Sequence, residues 1–298
     1  MNIVDLVLHY ATINLWMRTR IKVVKRINLF RYSSRLQARK DYFLRHKDNA
    51  PDSFKPRITM KDGYALDLVE GLPHLGEVMR DARKILNEEK GVEISVRKPF
   101  LMNHLNQSHL ERYPSFISMA TSDDILAIVA NYLGFIPVLS EIALWYSKPG
   151  NYGVEKSSQL YHLDNADTSQ VKVFVHLDDV LESGGPFTFL GAHDSEAVIK
   201  TTKYGKKRNV ERLSDEVVYG IVPSSNKIEC AFDAGAIAYV DTCKCLHFGS
   251  RCLDEGRKIL MLQYLSPCRA DFRQNNLSKL IKNSDSELRK FALDPTMS

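Results

Sequence analysis

The sequence predicts an α+β protein: a mainly β core of the double-stranded β-helix, or jelly-roll, type, flanked by helices and preceded by a helical N-terminal extension. Three observations predict it. From Gln159 onward the chain breaks into short β-rich segments punctuated by Gly, Pro and Asn, as a jelly roll requires. Ahead of that change, apolar residues recur at helical spacing. Finally, residues of related chemistry stand far apart, at 162–164, 247 and 257, and a barrel-like closure is what would bring them together.

The first element is an amphipathic helix in Met1–Met17, with Ile3, Leu6, Val7, Tyr10, Ile13 and Met17 at helical intervals, followed by a basic run from Arg18 to Arg31. Residues 1–60 hold 13 Lys or Arg against 4 Asp or Glu, whereas the rest holds 28 against 32. Only the front is basic. Such a segment can attract nucleic acid, an anionic membrane surface or an acidic substrate. It carries no aromatic-basic recognition motif, so no specific nucleic acid is expected as a partner. A solvated helical face is the preferred reading of this charge, and the opening helix is expected to dock on the core, with peripheral membrane contact left open. Asp5 lies early and no cation precedes the apolar stretch, which argues against a signal peptide.

The interval Lys47–Arg57, with Pro51 and Pro56, marks a seam between a 1–60 extension and a 61–298 unit. Leu75–Glu89 reads as a mixed-charge surface helix. Ser122-Asp123-Asp124 is a capping signal for a helix over Asp123–Leu133. Ile125–Trp145 approaches membrane-spanning length, but Asn131, Gly134, Pro137 and Glu141 interrupt it. It therefore predicts a buried helix, a turn and a strand. The β-helix core is expected over about 140–268, with Lys200–Arg212 a surface insertion able to cover its mouth. Leu277–Leu293 predicts a closing helix.

A chain of 298 residues can bury one substantial core. Its five cysteines, Cys230, Cys243, Cys245, Cys252 and Cys268, are odd in number and accompany no secretory signal, which points to a reducing, cytoplasmic setting.

The chemistry centres on Tyr161-His162-Leu163-Asp164. Residues two apart on an extended strand share a face, so His162 and Asp164 can reach one ion. His247 follows the strand-like run Ala236–Val240 and supplies a third ligand. Two imidazoles and a carboxylate on one face of an octahedral ion suit non-haem Fe(II), with the opposite positions open. Arg257 starts the next apolar run, Arg257–Leu265, as a hairpin neighbour of His247, and its guanidinium can fork onto a carboxylate. A competing zinc reading uses Cys243-X-Cys245-X-His247 and Cys252, although the spacing is not that of a zinc ribbon. If Cys243 and Cys245 continue the strand, they share the face of His247 and are exposed to oxidation. His176 and His193 are decoys without a carboxylate at ligand spacing; Phe174 is the better pocket residue.

These blocks, with Gly184-Gly185-Pro186-Phe187-Thr188-Phe189-Leu190-Gly191-Ala192-His193 between them, resemble the phytanoyl-CoA dioxygenase-like family of Fe(II)- and 2-oxoglutarate-dependent oxygenases over roughly residues 115–268. The resemblance implies that His162, Asp164 and His247 bind Fe(II), and that Arg257 holds the distal carboxylate of 2-oxoglutarate with Ser147 as a further contact. With O2, a small organic substrate would be hydroxylated and succinate and CO2 released. An intact Asp164 argues against halogenating relatives, which carry a small residue there. Gly249 replaces the serine that many relatives carry two places beyond the distal histidine; Ser250 is next. Desaturation, cyclisation or epimerisation at the same centre is an alternative outcome. A non-catalytic barrel scaffold whose basic helix binds a membrane or partner is an alternative of another class. Neither the prime substrate nor the oligomeric state is legible.

Overall fold

The structure, a computed structural model, describes residues 3–47, 57–68, 71–88, 91–96, 98–150, 155–206, 211–271 and 277–298. Most of the 47–57 seam, and residues 207–210 of the expected insertion, lie outside the described residues. The strands are β1 Tyr64–Asp67, β2 Val92–Glu93, β3 Leu101–Asn103, β4 Val138–Ser147, β5 Val171–His176, β6 Thr188–Leu190, β7 Lys227–Glu229, β8 Ile237–Val240, β9 His247–Phe248 and β10 Arg257–Leu265. They form a seven-stranded antiparallel sheet in the order β1-β8-β5-β10-β4-β3-β2 and a three-stranded sheet in the order β7-β6-β9.

Strand alternation assigns the two faces of the large sheet. Val171, Val173 and Val175 of β5, Leu260, Leu262 and Tyr264 of β10, and Ile237 and Tyr239 of β8 point to one side. There they pack under α4 Leu75–Glu88, α5 Gln107–Arg112, α6 Ser115–Ala120, α7 Asp123–Leu133 and α10 Glu287–Leu293. Each such side chain withdrawn from water contributes roughly 1.5–3 kcal/mol. The intervening residues, Phe174, Ala238, Val240, Ile259, Met261 and Ala143, face the other way, against Phe187, Phe189 and Cys245 of the small-sheet side. The site forms on this second face.

The mixed α/β architecture matches expectation, and the structure corrects it in detail. The two sheets do not close into a hydrogen-bonded barrel among the described residues, and the large sheet recruits β1, β2 and β3 from well before residue 140. Arg257 is not a hairpin neighbour of His247. β9 pairs with β6 in the small sheet, while β10 lies between β4 and β5 in the large one. A strand buried on both faces along nearly its whole length needs a central position, so the 249–256 loop crosses from one sheet to the other. Asp123–Leu133 forms as predicted, with the Ser122 hydroxyl accepting from the Ile125 amide, and Val138–Ser147 is the strand expected after it. The stretch after the Gly-Pro segment is instead a helix, α8 Ala192–Thr202, and Asp215–Tyr219 is another, α9. The closing helix is split. Leu277–Leu280 is a 3-10 turn, and α10 begins only where Ser286 caps it.

The basic segment forms α1 Ile3–Thr12, α2 Met17–Arg31 and α3 Ser33–His46. The latter two dock on the core. Lys25 pairs with Asp167 at 2.7 Å, and the Asn28 amide donates to the Arg269 carbonyl. Arg39 is fully buried and donates to the carbonyls of Ile136, Pro137 and Asp294. The apolar stripe of α1 does not dock. Leu8 and Thr12 are its only buried residues, because its inward positions hold Asp5 and His9, paired with Arg31 and Arg20 of α2.

Candidate metal centre

His162 sits on an extended segment rather than a full strand, tied into the structure by single bridges to His247 and from Tyr161 to Leu213. The His162 and His247 amides each donate to the other's carbonyl, at 2.9 and 3.0 Å. That reciprocal pair brings together two residues 85 positions apart and sets their rings at a tilt of 47° with centroids 4.3 Å apart. Two residues on, the Asp164 amide donates to the Thr242 carbonyl. As a result, one ligand atom from each of His162, Asp164 and His247 lies within 4.8 Å of the other two, the one such group of His, Cys, Asp and Glu found among the described residues.

The surroundings orient these atoms. Nδ1 of His162 lies 2.8 Å from the Leu160 carbonyl and Nδ1 of His247 lies 2.9 Å from that of Cys245. A carbonyl only accepts, so Nδ1 carries the proton and Nε2 keeps its lone pair for a metal. Burial, reinforced for His162 by His247 and Arg212, depresses both imidazole pKa values, that of His247 to about 4. Burial works against the Asp164 carboxylate. Lys172 at 2.9 Å and the two imidazoles outweigh it and hold the carboxyl well below the usual range. Gln170 donates to the same Asp164 oxygen and to the Thr242 hydroxyl, and accepts from Gln263. The neutral imidazoles and ionised carboxylate that an Fe(II) ion requires are the forms the fold favours.

Across the cavity, Arg257 is 6% exposed, and its Nε and Nη1 have no hydrogen-bond partner. Its remaining nitrogen, Nη2, donates to the Ser250 hydroxyl at 3.3 Å, and Ser250 in turn contacts Ser147 at 2.8 Å. Ser147 lies directly opposite Arg257 in the β4–β10 register. A Cβ at position 249 would stand 3.1 Å from the guanidinium. Gly249 therefore makes room for Arg257, and Ser250, with φ of 65°, brings its hydroxyl into the position that Gly249 leaves without one. One cavity joins His162, Asp164, His247, Ser250 and Arg257 under Phe174 and Phe187. It adjoins a larger one of about 530 Å³ lined by Trp145, Asn103, Glu141, Lys172, Arg212 and Gln263. A buried cation with two unused donors facing a carboxylate-imidazole cluster fits a 2-oxoglutarate bound between them.

Gln170 and Lys172 are absent from the sequence reading, and Ser250 enters it only as the residue after Gly249. Lys172 had a signal: in Val171-Lys172-Val173-Phe174 it shares the inward face with Phe174. His176 faces the same side but stands 5.6 Å from the Phe232 ring, outside the cluster. Burial and Arg257 depress its pKa to about 4. His193 is exposed beside Asp194 at the start of α8. The zinc reading is overturned, since Cys245 faces the Asp62 and Gly63 carbonyls and Cys252 faces that of Gly184. The shared strand face proposed for Cys243 and Cys245 is corrected too. Lys244 and Cys245 both donate to the Asp241 carbonyl, so the segment is a turn and strand alternation does not apply.

No protein-family model matches the chain, and no curated protein does. Solved structures do. EctD from S. alaskensis with 2-oxoglutarate and 5-hydroxyectoine is 13% identical, with a TM-score of 0.51 over 72% of this chain and 78% of that one. The epimerase SnoN from nogalamycin biosynthesis, in complex with Fe3+, alpha ketoglutarate and nogalamycin RO, is 18% identical, with a TM-score of 0.50 over 76% and 88%. The fold is thus one found in non-haem, 2-oxoglutarate-binding enzymes. The His162-Asp164-His247 cluster is a donor set consistent with Fe(II), 2-oxoglutarate and O2.

Proposed function

We propose that this protein is a non-haem Fe(II)- and 2-oxoglutarate-dependent oxygenase of the phytanoyl-CoA dioxygenase-like kind, and that it hydroxylates a small organic substrate with release of succinate and CO2. The observation that carries the reading is the convergence of His162, Asp164 and His247 within 4.8 Å, with the half-unsatisfied Arg257 in the same cavity. Bound Fe(II) would supply dioxygen activation coupled to decarboxylation of 2-oxoglutarate.

The chain's own residues do the rest. His162 and His247 present Nε2 lone pairs because their other nitrogens are committed to carbonyls. Lys172 and Gln170 aim Asp164 by holding one of its oxygens. Arg257 offers two donors to the distal carboxylate of the cosubstrate, with Ser147 and Ser250 beside it. Phe174 and Phe187, with ring centroids 4.2 Å apart, form an apolar wall that limits water. The larger cavity mixes acids, bases and the Trp145 ring, which suits a polar substrate with an apolar portion. All five cysteines are buried and unpaired, in keeping with a cytoplasmic setting.

Epimerisation is the second reading of the same centre, favoured by the fold shared with SnoN; the two outcomes differ in whether oxygen is retained in the product. The test is anaerobic reconstitution with Fe(II) and 2-oxoglutarate, then exposure to 18O2 with metabolite extracts. Succinate with a labelled product supports hydroxylation, and succinate with an unlabelled isomer supports epimerisation. Absence of both iron uptake and succinate from folded protein would sink the proposal.

A further inference from the structure

We infer that the α1–α2 hairpin is an interfacial membrane anchor that docks on an anionic lipid surface. The placement of apolar residues on α1 is inverted relative to an ordinary surface helix. Ile3, Leu6, Val7 and Tyr10 recur at one-turn spacing, and Ile13, Leu15 and Trp16 continue them into the turn. All are exposed, Ile3 at 79%, Tyr10 at 65% and Val7 at 62%. The opposite face carries Asp5 and His9, whose partners are Arg31 and Arg20. Folding thus satisfies the polar side of α1 and leaves its apolar side in water.

The Asp5–Arg31 pair places the start of α1 beside the end of α2, where Phe30 is 86% exposed, with Leu29 and Ile27 also exposed. Both helices thus carry exposed apolar residues near this junction. An exposed apolar helix face of this kind marks an interaction site, and Trp16 and Tyr10 are residue types that favour a membrane boundary.

Charge selects the occupant. Residues 3–47 hold 11 Lys or Arg against 2 Asp or Glu. Lys22 and Arg26, one turn apart on α2, are exposed. A second copy of the chain would set this excess of positive charge against itself, which disfavours pairing, whereas anionic headgroups complement it. Nucleic acid would satisfy the charge and leave the apolar stripe in water. No described helix is long and apolar enough to cross a membrane, so the contact lies in the plane of the surface.

The test is co-sedimentation of the full chain with vesicles of phosphatidylcholine, with or without phosphatidylglycerol, alongside Trp16 emission. Binding to the anionic vesicles with a blue shift that Trp16→Phe removes is expected. Lys22→Gln and Arg26→Gln should each weaken it about fivefold, and Val7→Glu by roughly tenfold or more. These positions are exposed, so unchanged melting temperatures serve as the folding control. No anionic-vesicle binding, or binding indifferent to Val7→Glu, overturns the inference. So does a dimer in light scattering that Val7→Glu disperses, or nucleic-acid binding by a chain that ignores vesicles. None of these readouts uses enzyme activity, so the result is independent of the metal-site reading.

Discussion

Asp164 and Arg257 carry separable roles in the proposed chemistry. Replacing Asp164 with Ala removes a charged donor from the cluster, and succinate formation should fall by a factor on the order of 100 or more, measured in single-turnover assays. Arg257→Ala should instead raise the 2-oxoglutarate requirement by about 30-fold or more, the cost of removing one partner of a buried charge pair. Unchanged succinate formation in both variants would remove the assignments. Lys172→Met tests the surroundings. Its ammonium lies 2.9 Å from Asp164, so its loss should weaken Fe(II) binding by roughly 10- to 100-fold, read by metal titration under argon. His162 and Asp164 were legible from their two-residue spacing, whereas His247 was placed by the strand-like run before it and Arg257 by a family resemblance, since the hairpin expected to join the two does not form. Lys172 and Gln170 were not legible, and Ser250 stood out only as the neighbour of Gly249, because their roles depend on what lies across the cavity.

At the scale of elements, the loop after the 3-10 turn at Glu182–Gly184 shows how the sheets are held in apposition. Gly185 has φ of 63°, and a Cβ there would lie 2.4 Å from the Cys252 amide nitrogen. Gly185→Ala must both strain the left-handed backbone and push away the 251–252 segment that leads to Arg257. A loss of about 2 kcal/mol or more in stability, from chemical denaturation, is expected, and a loss under 0.5 kcal/mol, the scale of an ordinary surface change, would contradict this account. Helix α7 was readable from its Ser122 cap and apolar spacing. Helices α8 and α9 were not, since Ala192–Thr202 is mostly polar and only Val198 and Ser195 are buried. The sheet assignment of β10 was hidden for a related reason. Its apolar run suits either a hairpin with β9 or the centre of the large sheet, and the choice rests on partners distant in sequence.

For the whole molecule, acid should be the destabilising direction. His247 and His176 have folded pKa values near 4, and that of His162 is depressed as well. The folded state therefore resists protons that the unfolded chain binds near pH 6.5. Stability is fully present above that pH and is lost as pH falls from there toward 4. A melting temperature without added metal that stays flat between pH 7 and about 4.5 would refute this. Metal should act oppositely. Fe(II) under argon at about 100 times its dissociation constant is expected to add roughly 2.7 kcal/mol, and Asp164→Ala should abolish most of that gain. Arg39 ties α3 to the entry of β4 and the end of α10, and burial lowers its pKa to about 10, so it stays charged at neutral pH. Arg39→Ala would leave three carbonyls without their donor, with an expected cost of about 3 kcal/mol.

What the sequence determined by itself was local and periodic: the β-rich second half, the capped helix before it, the His-X-Asp pair and the strand that begins with Arg257. These follow from side-chain spacing and backbone preference, which act over a few residues. What only the tertiary structure decided was which strands pair, that the sheets stop short of a closed barrel among the described residues, that Lys172 pairs with Asp164, and that α1 turns its apolar side outward. Those outcomes depend on competition among distant partners for burial and charge neutralisation, and periodicity along the chain says which face is apolar without saying what will cover it.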